Sequence, residues 1–278
     1  VRQFIAETAV DSHGMITVTG DRFHYLCTVL RSVPGDMIQV RLPQGMLVQM
    51  TVASVDKKKK QAVLQAAGSL SAESSSLAAV PVQEKPELEL WLFQFVAKPA
   101  KMELIVRQAV ECGVAVVVPV AGTFCQSGAV KSAQEAAKLN GAGGRWERII
   151  TEAREQSGSA VATRVNECVS VAEAVALWNS HVAASAQNAS LAVVLYEQTA
   201  GTMQLHRVIK QMPMVKSAAV AVGAEGGISP EEIELMQKGG FISVHFATNI
   251  LRCETAAIYG IAALQTALME KNIWQSKE

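Results

Sequence analysis

Hydrophobic and polar positions change rhythm once along this chain. From residue 2 to about Leu64 the apolar residues fall in short, partly alternating runs, as in Met15-Ile16-Thr17-Val18, Met37-Ile38-Gln39-Val40 and Leu47-Val48-Gln49-Met50-Thr51-Val52, broken by Gly14, Gly20, Pro34-Gly35 and Gly45. Short strands at such regular spacing predict a small β-barrel. The stretch from Gly68 to Lys85 is rich in Ser, Ala and Glu, carries Pro81, and reads as a linker. Beyond it come continuous apolar runs at 90–95, 115–120, 191–196, 218–222 and 242–246, separated by stretches of helical spacing at 101–112, 145–156 and 171–178. Continuous apolar strands alternating with helices predict a mostly parallel sheet covered on both faces. Ser229-Pro230-Glu231-Glu232 is a helix start, with Ser as N-cap, Pro at the first helical position and Glu where a capping box wants it. A last helix, Thr255 to Met269, is apolar over most of its circumference and is expected to pack against a partner.

The fold class that follows is α/β with a small β-barrel attached: residues 1–70 as barrel, 71–86 as linker and 87–278 as the α/β domain. A length of 278 residues with half of them hydrophobic accommodates two such cores. Lysines and arginines equal aspartates and glutamates, so no global field draws the chain to nucleic acid. Residues 1–70 nevertheless hold eight basic and five acidic side chains, about +3, leaving about −3 for the remainder, which makes the amino-terminal part the better partner for a polyanion. The five cysteines are scattered without a C-x-x-C pair, so neither a zinc site nor a disulfide framework is indicated, and a reducing cytoplasm is expected. No membrane-spanning run and no amino-terminal targeting pattern is present in the sequence, and no metal is expected.

Candidate chemistry concentrates in the last quarter. Gly223-Ala224-Glu225-Gly226-Gly227 ends one apolar strand, and its glycines allow a ligand to approach the backbone. The same residues alone also fit a tight strand-to-helix turn. A phosphate loop would need G-K-[ST] and a dinucleotide fingerprint G-x-G-x-x-G after the first strand, and neither occurs there. Arg252 and Glu254 stand between Leu251 and the apolar helix, where unlike charges must pair with each other or with a charged ligand. A structural ion pair or a first-turn Glu favoured by the helix dipole is the plain alternative. Glu111, Glu152, Gln156 and Glu197 recur near element ends and read as surface residues. Lys57 to Lys60 read as a solvated turn, and His24-Tyr25 with Arg31 can stack on and neutralise RNA.

In this order the residues resemble a family. Arg2-Gln3-Phe4, Val29-Leu30-Arg31 with Pro34-Gly35-Asp36, Lys101-Met102-Glu103 leading to Glu111-Cys112-Gly113-Val114, Arg145-Trp146-Glu147, Glu152-Ala153 with Glu155-Gln156, Gly223 to Gly227, and Ile250-Leu251-Arg252-Cys253-Glu254-Thr255-Ala256 together resemble the RsmE-type ribosomal RNA methyltransferases of the SPOUT superfamily over nearly the whole chain. The resemblance implies an amino-terminal PUA-like β-barrel that grips RNA and a carboxy-terminal SPOUT α/β domain tied in a deep trefoil knot. It also implies S-adenosylmethionine as cofactor, a homodimer, and N3-methylation of one uridine of 16S ribosomal RNA in the small ribosomal subunit. Carried onto this chain, it implies cofactor binding by Leu195, Gly223, Glu225, Gly226, Gly227, Phe246, Ile250, Leu251 and Thr255. The catalytic residues would be Arg252, Glu225 and Glu254, and the RNA contacts Arg2, Arg22, His24, Arg31 and Lys101.

Against the family pattern, Ala224 replaces a Pro, Phe246-Ala247 replace Leu-Gly, and three basic positions carry Gln108, Phe124 and Ser159. Rival readings are methylation of another ribosomal or transfer RNA position, including a ribose 2′-hydroxyl, a non-catalytic RNA-binding assembly factor, or an α/β protein in which these loops only pack.

Overall fold

The computed structural model describes residues 3–66, 87–139, 143–185, 189–212 and 214–270. Two units divide the chain: an amino-terminal unit of Val1–Glu84 with Arg154–Ala160, and a carboxy-terminal unit of Lys85–Ala153 with Val161–Glu278. The linker expected at 71–86 and the RNA candidate Arg2 lie outside the described residues.

In the amino-terminal unit, β1 (Phe4–Ile5), β2 (Met15–Val18), β3 (Met37–Arg41), β4 (Leu47–Asp56) and β5 (Gln61–Ala66) form one sheet in the order β1-β3-β4-β5-β2. β1 pairs with β3 in parallel, and the other pairs are antiparallel. The alternation read from the sequence sends Ile16, Val18, Val48, Met50, Val52 and Leu64 into a single core. A register shift between Val52 and Ser54 marks a bulge in β4, and bulges sharpen the bend of a strand. The described part of the expected barrel is this five-stranded sheet, with β1 and β2 at its ends.

Residues 20–29, which the strand reading passed over, are helical: α1 (Gly20–His24) runs into a single π-turn, Tyr25–Val29. Phe23 and Leu26, three apart on one face, anchor it in the core. Arg31 follows at φ 57°, uncommon for a residue with a Cβ. Glu155, 1% exposed at its side chain, accepts from the Ile5 amide at 3.1 Å and pairs with Arg22. Arg41 is fully buried and satisfied by Gln3 Oε1 at 2.7 Å and the Gly45 carbonyl at 2.7 Å. Buried cations are tolerated only with such partners.

The carboxy-terminal unit holds β6 (Glu89–Phe95), β7 (Val116–Ala121), β8 (Arg164–Val165), β9 (Val169–Ser170), β10 (Ala189–Leu195), β11 (Val215–Val222) and β12 (Ile242–Val244). Their order is β12-β10-β11-β6-β7-β8, with β9 also on β7, and every pairing is parallel. Around them lie α2 (Pro99–Glu111), α3 (Ser127–Lys138), α4 (Arg145–Ser157, whose last turn belongs to the amino-terminal unit), α5 (Val171–Ala184), α6 (Leu205–Gln211), α7 (Pro230–Lys238) and α8 (Cys253–Met269).

Successive strand residues feed opposite cores. Leu90, Leu92, Val193, Ala218, Val220 and Val222 pack with α2, α3, α4, α6 and α8, whereas Trp91, Phe93, Phe95, Val194, Ala219 and Ala221 pack with α5, α7 and Phe241. This is the doubly covered parallel sheet that continuous apolar runs predict. α3 escaped the periodicity reading because its buried stripe is Ala129, Ala133 and Ala137, too small to stand out as hydrophobic. α8 buries Cys253, Ala257, Gly260, Ile261 and Leu264 against its own unit and leaves Tyr259 and Met269 exposed. Contact is close at Gly260, where a Cβ would stand 2.7 Å from Leu195 Cδ1.

Candidate functional site

Strand order reverses direction at β6: the chain proceeds outward through β7 to β8, then crosses to the other side for β10, β11 and β12. In parallel α/β sheets ligands bind beyond the carboxyl ends of strands near such a reversal. A cavity of about 520 Å³ lies there, walled by Leu195–Glu197 after β10, Val222–Ile228 after β11 and the segment Val244–Cys253 after β12, with Lys101 and Ala256. That volume falls in the range of small-molecule and cofactor sites.

The floor is the glycine turn. Ala224 and Gly227 bridge each other, with the Gly227 amide donating to the Ala224 carbonyl at 3.0 Å, and Gly227 takes φ 78°. Gly223 passes so close to this turn that a Cβ on it would lie 2.9 Å from the Gly227 carbonyl carbon. Beneath, Gln94 is fully buried, and its Nε2 donates to the carbonyls of Phe95 at 2.9 Å, Gly223 at 3.2 Å and Val222 at 3.3 Å. One amide thus holds the strand end in place. Ser229 caps α7 with the reciprocal Glu232 bonds the sequence predicts, and the other Glu232 oxygen accepts from the Thr123 amide at 2.7 Å.

The second wall interlaces two stretches far apart in sequence. The Tyr196 amide donates to the Val244 carbonyl at 3.0 Å, the Met203 amide to Ser243 at 2.9 Å, and the His245 amide to Met203 at 3.1 Å. Phe246 then packs edge-on against Tyr259, ring centroids 5.1 Å apart.

Charge gathers where α2 and α8 approach the glycine turn. Lys101 Nζ stands 3.0 Å from Glu254 Oε2 and 3.6 Å from Glu225 Oε1, and that Glu225 oxygen also accepts from the Lys98 amide at 3.2 Å. The Cys253 thiol donates to Glu254 Oε2 at 3.2 Å. Glu254 is held down to about 2, first by its own main-chain amide and then, against burial, by Lys101 and the thiol. Cys253 is pushed up to about 11, chiefly by burial and then by Glu254. A carboxylate so acidic is a weak proton acceptor at neutral pH. Because its folded value lies below the ordinary 4.5, the pairing of Glu254 stabilises the fold above that pH and is lost as pH falls toward 2. Glu254→Gln is therefore expected to lower Tm at pH 7 and to shrink that difference between pH 4.5 and 2.5, as thermal unfolding across the range will measure.

Of the residues singled out in the sequence, Leu195, Gly223, Glu225, Gly226, Gly227, Phe246, Ile250, Leu251 and Arg252 line the cavity. Glu254 stands behind it through Lys101, and Thr255 is exposed one position before the lining residue Ala256. Arg252 is the N-cap of α8, exposed, and its guanidinium has no hydrogen-bond or carboxylate partner among the described residues. Lys101 belongs to this cavity, in the carboxy-terminal unit. In the other unit Arg22 is committed to Glu155 and the Ile5 carbonyl and lies over the rings of Phe4 and Tyr25, while His24 and Arg31 are exposed. Sequence reading missed Gln94, and Glu197, read as a surface residue, is exposed and also lines the cavity. A lone polar residue inside Leu90-Trp91-Leu92-Phe93-Gln94-Phe95 was the signal for the first, and its place directly after an apolar strand the signal for the second. Among the described residues no helix is long and apolar enough to cross a membrane, and no cluster of His, Cys, Asp and Glu could hold a metal ion.

Residues 83–265 match the sequence family described as RNA methyltransferase domain. Over 277 residues the chain is 24% identical to the ribosomal RNA small subunit methyltransferase E of Bacillus subtilis, covering 96% of this chain and 98% of that one. A protein of the same name from Mycobacterium bovis is 24% identical over 262 residues, covering 94% and 90%. The crystal structure of a ribosomal RNA small subunit methyltransferase E from Neisseria gonorrhoeae, bound to S-adenosyl methionine, is similar with a TM-score of 0.73 and 22% identity, covering 95% of this chain and 97% of that one. That likeness establishes the common fold.

Proposed function

Because this chain belongs to the RNA methyltransferase domain family, we propose that it transfers a methyl group from S-adenosylmethionine to N3 of a uridine in small-subunit ribosomal RNA. The observation that carries this reading is the cavity floored by Gly223, Gly226 and Gly227 with an unpartnered guanidinium at its edge. The names of the relatives, both small-subunit ribosomal RNA methyltransferases, supply the substrate.

The residues present fit an adenosyl group. Glycine backbone leaves the floor open for close approach, and the apolar side chains of Leu195, Ile228 and Leu251 offer surface to a purine. Glu197, whose carboxylate stands beside Gly227, suits ribose hydroxyls. When bound, S-adenosylmethionine supplies an electrophilic methyl on sulfur. The protein's own work is to align the base and to manage one proton and one developing charge. Arg252 meets the negative charge that builds on the uracil as N3 loses its proton. We give the proton to Glu225, whose Oε2 has no hydrogen-bond partner among the described residues, and an orienting role to Glu254, which stays ionised.

Finer features of the family follow as part of the proposal. The interlacing of residues 196–203 with 243–245 supports a deep trefoil knot around the cofactor. The five-stranded amino-terminal sheet with its bulge in β4 supports a PUA-like barrel presenting His24 and Arg31 to RNA, with Arg22 shaping the barrel rather than touching phosphate. Exposed Ile250, Tyr259 and Met269 support a homodimer through α8 and the loop before it.

The test is calorimetric titration with S-adenosylmethionine, followed by incubation with small subunits from a strain lacking this methylation and mass-spectrometric mapping of nucleosides. Saturable binding and 3-methyluridine are expected. A different methylated nucleoside overturns the target atom, and a silent titration overturns the enzyme in favour of an RNA-binding factor.

A further inference from the structure

Lys101 is the one side chain of the cavity that comes from α2, more than 90 residues before any other part of the wall. Its ammonium reaches two carboxylates on two separate loops: Glu225 in the glycine turn after β11 and Glu254 in the first turn of α8. Its side chain is 27% exposed, and those of its partners 28% and 17%, so the cluster sits half-buried at the cavity edge. Both carboxylates crowd within 4 Å of a single nitrogen. Without that nitrogen they would face each other as like charges.

We propose that Lys101 is a positioning residue, a clamp that holds the glycine turn and the start of α8 at the separation the adenosyl group needs. The inference rests on the reading of the cavity as a cofactor site. α2 is a rigid support for such a clamp, because Met102, Ile105, Val106 and Ala109 beside Lys101 anchor it in the core. The turn itself has little else on that side: Glu225 is tied by the Lys98 amide at the helix start and by Lys101. Removing the ammonium leaves two neighbouring carboxylates, of which one then titrates at higher pH because a second negative charge is disfavoured. The repulsion exists only while both are ionised.

That gives the clamp a signature a mere packing role lacks. The other titratable groups facing the pair are the Cys253 thiol on α8 and, beside Glu225, the Cys125 thiol, both raised by burial and so neutral over the range used. Arg252, two residues before Glu254, and Lys98, whose amide bonds Glu225, are common to the variant and wild type. His245 also lines the cavity and is common to both proteins, so it is the difference between a variant without Lys101 and wild type, from pH 5.5 to 8, that reports the two carboxylates.

The experiment titrates the purified full chain with S-adenosylhomocysteine, whose neutral sulfur removes any direct attraction between the acidic pair and a sulfonium. Wild-type affinity is expected to be nearly flat from pH 5.5 to 8. Lys101→Met should weaken binding about tenfold at pH 8 and recover most of it at pH 5.5, while Lys101→Arg should stay within about threefold of wild type. The double variant Lys101→Met with Glu254→Gln, which carries only one of the two charges, should bind better than Lys101→Met at pH 8. Equal affinity of Lys101→Met and wild type at every pH overturns the clamp. So does a loss that neither acid pH, arginine nor the second substitution relieves. If Lys101→Met fails to fold, Lys101→Arg and the double variant still decide: the arginine variant must stay within about threefold of wild type, and the double variant, which has no ammonium to join the loops, must bind more weakly than the arginine variant. Failure of the wild type to bind either S-adenosyl ligand would instead overturn the cofactor reading.

Discussion

Arg252→Ala is expected to lower kcat for methyl transfer by about 10²–10³-fold while leaving the dissociation constant for S-adenosylmethionine within about threefold. The asymmetry comes from when the charge exists. Uracil is neutral before it loses the N3 proton, so a guanidinium aimed at it gains most in the transition state and little in the bound ground state. Arg252 is suited to this because it lines the cavity, lies exposed at the N-cap of α8 and has no competing carboxylate among the described residues. Glu254, its nearest acidic neighbour in sequence, is taken by Lys101 at 3.0 Å and by the Cys253 thiol at 3.2 Å. Truncation also leaves the local fold alone, since Cys253 and Ala257 anchor the helix start in the core. Arg252→Lys should recover part of the rate, as an ammonium keeps the charge but not the planar donor fork. Steady-state methyl incorporation measures kcat, and calorimetry the affinity. Unchanged turnover would remove Arg252 from the chemistry, and a large loss of affinity at unchanged kcat would make it a cofactor ligand.

Gly223→Val is expected to weaken S-adenosylmethionine binding by at least about 100-fold, roughly 2.8 kcal/mol at 1.4 kcal/mol per decade. Even the first added carbon would sit 2.9 Å from the carbonyl carbon of Gly227, 3.0 Å from its Cα and 3.1 Å from its oxygen. These are main-chain atoms, so no rotamer change relieves the clash. Nor can residue 223 retreat, because Gln94 holds the carbonyls of Val222 and Gly223 from a fully buried position. The turn that floors the cavity must therefore open. Gly128→Ala is the matched control: a Cβ there meets nothing within 4 Å, and affinity should not change. Folding of the Gly223 variant is checked by its unfolding transition, which should move by far less than loss of the sheet would require. Near-native affinity in a folded variant would mean that the turn is not part of the ligand site.

Much of this is legible in the amino-acid sequence alone. Continuous runs such as Leu90 to Phe95 and Ala218 to Val222 specify strands buried on both faces, and Ser229-Pro230-Glu231-Glu232 specifies where α7 begins. Gly223 to Gly227 and Ile250 to Arg252 could be picked out as loops, because glycines and charge interrupt apolar surroundings there, while α8 begins at Cys253, two residues before the Thr255 expected. These are local signals: each depends on residues within one turn or one strand. The helix at 20–29 and the Ala-lined α3 were passed over for the same local reason, having either a short stripe or a weakly hydrophobic one.

Other features depend on who neighbours whom across the sheet, and no window along the chain contains that. Arg22, an RNA contact by what the resemblance implies, is paired in the structure with Glu155, 133 residues away. Lys101 reads as one more basic residue on a helix until the order β12-β10-β11-β6 brings α2 and α8 together and sets its ammonium between Glu225 and Glu254. Gln94 became the support of the glycine turn only because β6 lies directly beside β11. By itself the sequence determined the periods, caps and breaks, since hydrophobic burial and backbone hydrogen bonding act through spacing. Tertiary structure alone decided which charges neutralise one another, because Coulomb attraction and desolvation follow distance in space, and strand order sets that distance.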